Sequence, residues 1–322
     1  MVRKFSLASN GAFLLLLVAL GLTAANPVNA TPQFAMQWGA NAPGGLDQPY
    51  GIAVGQGFAY VSDQFHFRIV KFTLDGHYVE SWGSQGSAPG QFGRTIGLAL
   101  DGGGRLYVVD YDNSRVQVFS TSGTFLFEWG SLGSGPGQFK GLRRLMVDPT
   151  GMIHVADEEN NRIQTFTHDG VFVSAWAVGQ VLGPSAIALG PTGVFYITEE
   201  NGNRVAMFDA AHNLIGRFGS PGDGDGQFDG PTGVAVEASG NLYVTSHLGN
   251  RVDEFTASGA FVQALGVAGT APGQFNNPVD VAIGEAGEVY VVDLGNNRVQ
   301  VFKELPVAAT KTSWGTLKAR FR

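Results

Sequence analysis

A thirteen-residue motif recurs six times along this chain of 322 residues, and the repetition restricts the possible folds more than any other feature. The copies start at residues 60, 107, 154, 196, 243 and 290, and two of them read YVVDYDNSRVQVF and YVVDLGNNRVQVF. Each copy contains one arginine, and successive arginines are 47, 47, 42, 47 and 47 residues apart. A period of this length is typical of folds in which one supersecondary unit packs against further copies of itself.

Each unit is predicted to contain four short strands. In the second unit, residues 97–101, 105–110, 115–120 and 124–130 are rich in β-branched and aromatic residues, and Gly, Asp, Asn and Ser separate them. No stretch after residue 30 shows a convincing helical period. Because the strands are apolar on both faces, each sheet must be covered on both sides by its neighbours. The sequence therefore predicts an all-β, six-bladed β-propeller with four antiparallel strands in each blade.

The ring is predicted to close with a strand from the N-terminal side of the repeats. The first five repeats are each followed by a fourth strand such as YVESWG or FLFEWG, but the sixth ends at Phe302 without a clear one. The segment FAMQWG at residues 34–39 has the same pattern, and the linker after it is in register with the other linkers. We therefore expect this N-terminal strand to complete the last blade. A local alternative is TKTSWG at residues 310–315.

The two ends of the chain differ from the repeats. Residues 1–30 combine Arg3 and Lys4 with an apolar run and a small-residue cleavage site at residues 28–30, the pattern of a signal peptide. We expect its removal, export to the periplasm or the outside of the cell, and no stable membrane span afterwards. Retention as a membrane anchor is the alternative. Residues 31–305 form the predicted propeller, and residues 306–322 form a basic tail.

Composition argues against several classes of function. Loss of Arg3 and Lys4 from the 20 basic residues leaves 18 against 27 acidic ones, a charge of about −9. Nucleic-acid binding needs clustered Lys and Arg and is therefore not expected. The chain has no cysteine, which excludes disulfides, thiolate metal sites and cysteine nucleophiles. Without disulfides, an exported protein depends on a large buried core.

The repeat resembles the NHL repeat. The resemblance rests on the pattern Asp-x-x-Asn-x-Arg-(Ile/Val)-Gln-x-Phe and on the linker APGQF, which occurs at residues 88–92 and 271–275. It extends from about residue 34 to residue 302. Propellers similar to this family bind proteins or RNA, cleave peptidyl-α-hydroxyglycine or hydrolyse lactones. The resemblance therefore implies a fold more strongly than an activity.

Residues present in every copy are expected to serve the fold. The six arginines are predicted to bind turn carbonyls or an acidic side chain such as Asp110. They are Arg68, Arg115, Arg162, Arg204, Arg251 and Arg298. In the similar lyases, zinc-binding histidines stand at the start of inner strands. The corresponding residues here are Tyr50, Ile96, Arg144, Ser185, Thr232 and Val279, none of them histidine.

The histidines of this chain do not favour a metal site. Only His66 and His247 are expected on the face where the similar lyases bind zinc. A three-histidine zinc site is therefore not predicted. We expect no cofactor, with Ca²⁺ or Zn²⁺ as the alternatives.

Function is expected where the copies differ. Arg143 and Arg144 replace small or apolar residues at the predicted mouth of the central channel, where two guanidinium groups can hold an anion or a carboxylate. The next blade lacks the Gly-Gln-Phe linker, which leaves room beside them. The candidate ligand-binding residues are Tyr50, His66, Arg143, Arg144, Glu158, Glu159, Glu199, Glu200 and His247. The alternatives are a solvated acidic rim and simple ion pairing of the arginines with Glu158 or Glu159.

These features predict an exported, non-catalytic module that recognises a protein, peptide or glycan through its loop face and channel mouth, and we expect a monomer. The first alternative is a metal-assisted lyase or hydrolase with its site at the same mouth. The second is a structural protein of the envelope or matrix. The sequence contains no Ser-His-Asp order, Gly-x-Ser-x-Gly turn or phosphate-binding Gly-Lys-Ser/Thr motif that would favour a catalytic class.

Overall fold

The computed structural model describes residues 31–304, which form a ring of six blades, each a sheet of four antiparallel strands. The predicted all-β propeller is confirmed. The predicted signal peptide (residues 1–30), the basic tail (306–322) and the alternative closing segment (310–315) lie outside the described residues. Three 3-10 helices lie in second-to-third-strand turns: Gln64–His66, Glu200–Gly202 and Leu294–Asn296. None of the described helices has the length and apolar character needed to cross a membrane.

The strands occupy four layers in every blade, with the first strand at the centre of the ring. First strands are Pro49–Gly55, Thr95–Leu100, Leu142–Val147, Pro184–Leu189, Pro231–Val236 and Pro278–Ile283. Second strands are Phe58–Asp63, Arg105–Asp110, Ile153–Asp157, Phe195–Glu199, Leu242–Ser246 and Val289–Asp293. Third strands are Arg68–Thr73, Arg115–Ser120, Arg162–Phe166, Arg204–Phe208, Arg251–Phe255 and Arg298–Lys303. Fourth strands are Tyr78–Trp82, Phe125–Trp129, Phe172–Trp176, Leu214–Phe218, Phe261–Leu265 and, in blade 6, Gln33–Trp38.

Two linkers contain short parallel strand pairs in addition to the blades. Ser131–Leu132 pairs with Gln138–Phe139 before blade 3, and Val267–Ala268 pairs with Gln274–Phe275 before blade 6. These pairs belong to the Gly-Gln-Phe linkers, so the linkers are ordered backbone rather than free loops.

The N-terminal strand closes the ring, as predicted. Gln33–Trp38 pairs antiparallel with Arg298–Lys303, and Trp38 lies opposite Val299. The Trp38 side chain is buried, and its ring centroid lies 4.6 Å from that of Phe72 in blade 1. First strands of successive blades lie side by side around the whole circle, including those of blades 6 and 1. The closing strand therefore completes one sheet and also packs against the next.

A buried wedge separates neighbouring blades near each Gly-Gln-Phe linker. The wedges are Phe92, Phe139, Phe228 and Phe275, all fully buried. Before blade 3, Gly130 has a φ of 108° and a Cβ there would lie 2.7 Å from the Phe139 ring, so glycine is required. Before blade 4, where the linker is shortened, the same position is Ala177 with a φ of 55°. Val181, fully buried in the same cluster as Ala177, fills the space there.

The repeated arginines hold the linkers to the blades. In blade 2, Arg115 Nε donates to Asp110 at 2.9 Å. Its terminal nitrogens donate to the backbone carbonyls of Ser87, Ala88 and Gln91 in the preceding linker. The arginines of blades 3 and 6 make the same two kinds of contact. The arginines of blades 1, 2, 3 and 6 thus fix a linker to the end of a second strand, which is the structural role that the repetition predicted. Arg204 of blade 4, where the linker is shortened, bonds only the acid Glu199 among the described residues.

In blade 5 the arginine is retained, but its acidic partner comes from the third strand instead of the second. Ser246 occupies the position of the aspartate, and Asp253 supplies the carboxylate instead, with Arg251 Nε 3.0 Å from Asp253 Oδ2. Asp253 is fully buried, and its Oδ1 has no hydrogen-bond partner among the described residues. Burial raises the pKa of Asp253 to about 6, although Arg251 acts in the opposite direction. This carboxyl therefore titrates close to physiological pH.

Candidate functional site

The starts of the first strands and the second-to-third-strand turns lie on one face of the ring, which we call the loop face. Strand pairing causes this, because the first residue of a first strand lies opposite the last residue of the second strand, as Leu142 lies opposite Asp157. The residue after that first position stands at the channel mouth. It is Tyr50 in blade 1 and Arg143 in blade 3, so the assignment of Arg144 to this position was wrong by one residue.

Arg143 is the centre of a polar cluster at this mouth. Its Nε and Nη2 donate to the two carboxylate oxygens of Glu158 at 2.7 and 3.0 Å, and Nη1 donates to the Tyr50 hydroxyl at 3.2 Å. Glu200 of blade 4 lies 3.6 Å from Nη2, beyond hydrogen-bond distance. Burial lowers the pKa of Arg143, but Glu158, Tyr50 and Glu200 outweigh it and raise the pKa overall. The guanidinium is therefore permanently charged.

Glu200 lies between Arg143 and a histidine of blade 5. His247 Nε2 is 3.6 Å from Glu200 Oε1, and His247 Nδ1 is 3.1 Å from Asn277 Oδ1 in the linker to blade 6. The second oxygen of Glu200, Oε2, is buried and has no hydrogen-bond partner within residues 31–304. Burial raises the pKa of Glu200, but His247 and Arg143 outweigh it and lower the pKa overall. The carboxylate is therefore ionised at neutral pH and has an unused acceptor.

Five of the nine predicted ligand-binding residues thus come together from blades 1, 3, 4 and 5. We call this group the mouth network: Tyr50, Arg143, Glu158, Glu200 and His247. Its members are partly buried and come from two repeat positions at which the residue type varies among the blades. Tyr50 and Arg143 occupy one of these positions, and Glu158, Glu200 and His247 occupy the other. The prediction that function lies where the copies differ therefore leads to one contiguous set of side chains.

The next residue of the strand, Arg144, fills the channel. Its Nε lies 3.0 Å from Asp280 Oδ1 of blade 6, on the opposite side of the ring, and both side chains are buried. Nη2 donates to the Val279 carbonyl at 2.6 Å, and Nη1 donates to the Ser185 hydroxyl at 3.3 Å. Burial raises the pKa of Asp280, with Arg144 acting against it. Because both terminal nitrogens donate inside the ring and the guanidinium is paired with buried Asp280, Arg144 is not a free ligand-binding group.

The remaining predicted residues are placed away from the mouth network. Glu199 is fully buried and pairs with Arg204 at 2.8 Å, because it is the blade 4 copy of the structural acid. Glu159 forms an exposed ion pair with the lysine of its own linker at 3.0 Å. His66 Nδ1 lies 2.9 Å from Asp63, the structural acid of blade 1. The acidic rim read from the sequence is therefore divided between buried structural acids and paired surface groups.

Two residues that sequence reasoning missed support the mouth network. The Tyr111 ring lies 5.9 Å from the Arg143 guanidinium, and Asn277 holds the His247 ring. Both occupy variable positions of the loop face, which is the signal that could have identified them. Within residues 31–304, no three His, Cys, Asp or Glu side chains are grouped in a way that could hold a metal ion. The functional groups of the mouth network are hydrogen-bond donors and acceptors.

A second feature lies on the opposite face, which the first-to-second-strand turns form. A cavity of about 850 Å³ opens there between blades 3 and 4, with His154 and His212 in its wall. Sequence reasoning did not find it. A sequence signal for it exists: the first residue of the repeated motif is tyrosine in five copies and His154 in the third.

Two family models match parts of the repeat region. One, described as the NHL repeat, matches residues 275–302, and the other, described as a 6-bladed beta-propeller, matches residues 94–178. No curated protein sequence matches the chain. The two matched segments cover blade 6 and blades 2 and 3, and both agree with the repeat and the blade number seen in the structure.

Solved structures with different functions share the architecture. The virginiamycin B lyase of Staphylococcus aureus is 18% identical, with 86% of this chain and 89% of that chain covered and a TM-score of 0.59. A gluconolactonase from Xanthomonas campestris is 17% identical, with 81% and 87% covered and a TM-score of 0.63. A chain of a nidogen/laminin complex is 19% identical, with 67% and 79% covered and a TM-score of 0.56. At such identities the similarity shows the fold alone.

Proposed function

Since this chain is a six-bladed β-propeller of the NHL-repeat family, we propose that it is an exported, non-catalytic recognition module that binds its partner through the loop face. The mouth network is the proposed centre of that surface. The partner is a protein, peptide or glycan, and the chemistry of the network favours a peptide group.

One observation carries this proposal: Glu200 has an ionised carboxylate at the channel mouth, and its Oε2 accepts no hydrogen bond from the described residues, with Arg143 Nη2 3.6 Å away. A partner N–H or O–H group that reaches this oxygen forms a charge-assisted hydrogen bond, which is stronger than a neutral one. Reaching it requires a small displacement of neighbouring side chains, because Oε2 is buried. The 3.6 Å contacts on either side of Glu200 are the loosest in the network and are where a partner can insert.

The arrangement suits a peptide group because it offers an acceptor beside donors. Arg143 uses Nε and one hydrogen of each terminal nitrogen on Glu158 and Tyr50, which leaves one N–H on each terminal nitrogen. Glu200 stands 3.6 Å from one of these nitrogens. In an extended peptide the N–H and the C=O of one residue point to the same side, so such a segment can bind both side chains at once. Glu158 and Tyr50 hold the arginine in place before binding, which lowers the entropic cost of association.

Capture from the native exported fraction tests the proposal. The baits are the mature chain, Glu200→Gln and Glu285→Gln; Glu285 is an exposed acid of the opposite face and serves as the matched control. We expect a species that binds the wild-type chain and Glu285→Gln alike and binds Glu200→Gln about tenfold less. Equal capture by all three baits would show that the partner does not bind at Glu200 and would contradict the proposal. Digestion of the captured material with a protease or a glycosidase shows whether the partner is a protein or peptide, or a glycan.

An enzyme is the second candidate, and one observation favours it. His247 and Glu200 face each other at 3.6 Å in a concave mouth, an arrangement that can move a proton when one of them is within reach of a substrate. Two of the similar structures are a lyase and a gluconolactonase. Turnover of a lactone or a streptogramin by the wild-type chain, lost in His247→Ala, would support this candidate over the recognition module. Stoichiometric bound zinc or calcium in the same preparation would point the same way.

Export is part of the proposal and has its own test. Residues 1–30 are predicted to be removed, so the mature chain is expected to start at Thr31. N-terminal sequencing of the protein recovered from its native host measures this directly. Recovery of the intact N-terminus in the membrane fraction would support the anchored alternative.

A further inference from the structure

The junction between blades 3 and 4 contains a cavity of about 850 Å³ on the face opposite the loop face. We call it the junction cavity. Apolar side chains form most of its wall, among them Met146, Met152, Leu189, Pro191 and Phe195. A volume of this size lies in the range of small-molecule sites. The junction cavity shares no residue with the mouth network and opens on a different face.

At three other junctions, a tryptophan of one blade packs directly against a glycine of the next. The pairs are Trp38–Gly76, Trp82–Gly123 and Trp129–Gly170, and a Cβ on any of these glycines would lie within 2.8 Å of the ring. The three indole N–H groups are buried and have no hydrogen-bond partner among the described residues. These junctions are therefore closed, and no side chain fits between the two blades at this position.

The junction of blades 3 and 4 has a histidine at the position of this glycine. His212, with a φ of 63°, stacks flat on Trp176, with ring centroids 4.0 Å apart and an interplanar angle of 3°. The indole N–H of Trp176 donates to the Thr165 hydroxyl at 3.1 Å. Thr165 occupies the repeat position of Val118 in blade 2, which has no hydroxyl to orient an indole. Two coordinated departures from the repeat thus make room for a side chain between these blades.

Blade 3 also lacks the tyrosine that bridges other junctions. Tyr196 of blade 4, for example, donates its hydroxyl to the Ala257 carbonyl of blade 5 at 2.7 Å. The equivalent residue of blade 3 is His154, whose side chain is shorter and bonds within its own blade. The equivalent carbonyl of the next blade is that of Ala210, which lines the cavity. The cavity therefore lies where this bridge is absent.

Hydrogen bonds within blade 3 fix one wall of the cavity. His154 Nε2 lies 3.2 Å from Asp148 Oδ2, and His154 Nδ1 lies 3.0 Å from the Thr165 hydroxyl. Burial lowers the pKa of His154, with Asp148 acting against it, so the ring is neutral at neutral pH. Burial raises the pKa of Asp148, but hydrogen bonds from Thr150 and His154 outweigh it and lower the pKa overall. This wall therefore has one negative charge, whose oxygens already accept hydrogen bonds.

His212 brings an unused polar group to the cavity. It lines the wall, and neither of its ring nitrogens is hydrogen-bonded to a described residue. Burial lowers the pKa of His212, the nearby His154 adds to the effect, and Asp209 acts against both. A neutral imidazole has one donor and one acceptor nitrogen, so it is able to bond a ligand hydroxyl in either direction.

We propose that the junction cavity binds a small uncharged aromatic molecule that has a hydroxyl group, with its ring against Met146, Met152 and Phe195 and its hydroxyl hydrogen-bonded to His212. Burial of the ring provides the binding energy, and methionine and phenylalanine side chains make favourable contacts with aromatic rings. The site is independent of the partner surface on the loop face.

The charges around the cavity favour an uncharged ligand. An anion is disfavoured because Asp148 is ionised and no lysine or arginine of residues 31–304 lines the cavity. A cation finds no free carboxylate, because Asp148 is bonded within blade 3 and the Glu237 carboxylate is bonded by Ser239 beside the pocket towards blade 6. A charged group would therefore lose its water without gaining a partner.

Three matched probes test this proposal by equilibrium dialysis against the mature chain at about pH 7, where a phenol is uncharged and a carboxylate is ionised. The probes 2-naphthol, naphthalene and 2-naphthoate share one aromatic body. We expect 2-naphthol to bind saturably and at least about tenfold more tightly than 2-naphthoate. Equal binding of these two probes, or no saturable binding of 2-naphthol up to about 1 mM, would overturn the proposal.

His212→Phe tests the contact with the hydroxyl. This variant keeps an aromatic ring on Trp176 and removes the hydrogen-bonding nitrogens, so we expect binding of 2-naphthol to weaken about fivefold and binding of naphthalene to stay unchanged. His77→Phe is the matched control, because His77 is a histidine of the same face with a side chain that is 78% exposed. Unchanged binding of 2-naphthol by His212→Phe would contradict the proposed ligand class.

A triple variant tests the location. His154→Tyr, Thr165→Val and His212→Gly together reproduce the junction of blades 2 and 3, where the equivalent residues are Tyr107, Val118 and Gly170. We expect the triple variant to fold, as its thermal melt will show, and to lose binding of both 2-naphthol and naphthalene. Wild-type binding by the folded triple variant would place the probes elsewhere and overturn the proposal. If the triple variant does not fold, the comparison of His212→Phe with His77→Phe decides alone.

Discussion

Arg144 and Asp280 come from the same repeat position of blades 3 and 6, and they meet across the centre of the ring with Nε 3.0 Å from Oδ1. In the other four blades this position is small: Gly51, Gly97, Ala186 and Gly233. Backbones approach closely there, since a Cβ on Gly51 would lie 2.0 Å from the Ile96 carbonyl oxygen. The two long side chains occupy the space that the small residues leave, and their charges compensate each other inside the protein.

Removal of one member of this pair is expected to cost more than removal of both. Asp280→Ala leaves the Arg144 guanidinium buried without its carboxylate, and we expect a loss of about 3–5 kcal/mol in the free energy of unfolding. The double variant Arg144→Ala with Asp280→Ala removes both charges and is expected to lose less than Asp280→Ala alone. Urea denaturation of the singles and the double measures the coupling energy.

The exposed pair Arg94–Asp112 is the matched control for that cycle. Its closest contact is 2.8 Å, but its two side chains are 46% and 42% exposed. Its coupling energy is therefore expected to be about 0.2–1 kcal/mol. Similar coupling energies for the two pairs would contradict the account of the buried pair.

The closing strand is expected to be essential for stability. Trp38→Ala removes a buried indole that packs on Phe72 of blade 1, and we expect a loss of about 3–5 kcal/mol. Val79→Ala, on the exposed side of the blade 1 outer strand, is the control and is expected to cost less than about 1 kcal/mol. Thermal or urea unfolding compares them. Equal costs would mean that the ring does not depend on the packing of this strand.

Asp253 is expected to make stability depend on pH. Its pKa is raised from an ordinary value of 3.8 to about 6, so the folded state favours the protonated form. The stabilisation is fully present below about pH 4 and is lost as the pH rises through about 6, with a total of about 3 kcal/mol for a shift of this size. We expect the difference in unfolding free energy between wild type and Asp253→Asn to change over this interval. A constant difference from pH 4 to pH 8 would show that the carboxyl titrates normally.

Gly130 and Ala177 occupy equivalent positions but are expected to differ in how much a substitution costs. Gly130→Ala places a methyl group against the Phe139 ring and is expected to cost about 1–3 kcal/mol. Ala177→Gly removes a side chain from a left-handed conformation, so strain relief and added chain entropy are expected to cancel within about 0.5 kcal/mol. Urea midpoints of both variants test the difference. A large loss for Ala177→Gly would mean that the alanine is not strained.

Much of the fold could be predicted from the repeat because its signals are local. The aspartate and arginine of each motif lie five residues apart, as Asp110 and Arg115 do, and their pairing follows from one hairpin. The candidate site was predicted less completely. Arg143 and Glu200 were identified as variable loop-face residues, but Arg144 was misplaced by one position because its strand has no opening proline to mark the register. The cavity between blades 3 and 4 was missed because its two histidines lie in different blades.

The blade number, the strand order, the closing strand and the role of the repeated arginines could be predicted from the sequence, because each depends on contacts within one repeat or on a count of repeats. The folded ring was needed to show that Arg144 meets Asp280, that Glu200 lies between Arg143 and His247, and that His154 and His212 border one cavity. These contacts join different blades. Their distances follow from the curvature of the closed ring, which no local pattern of residues contains.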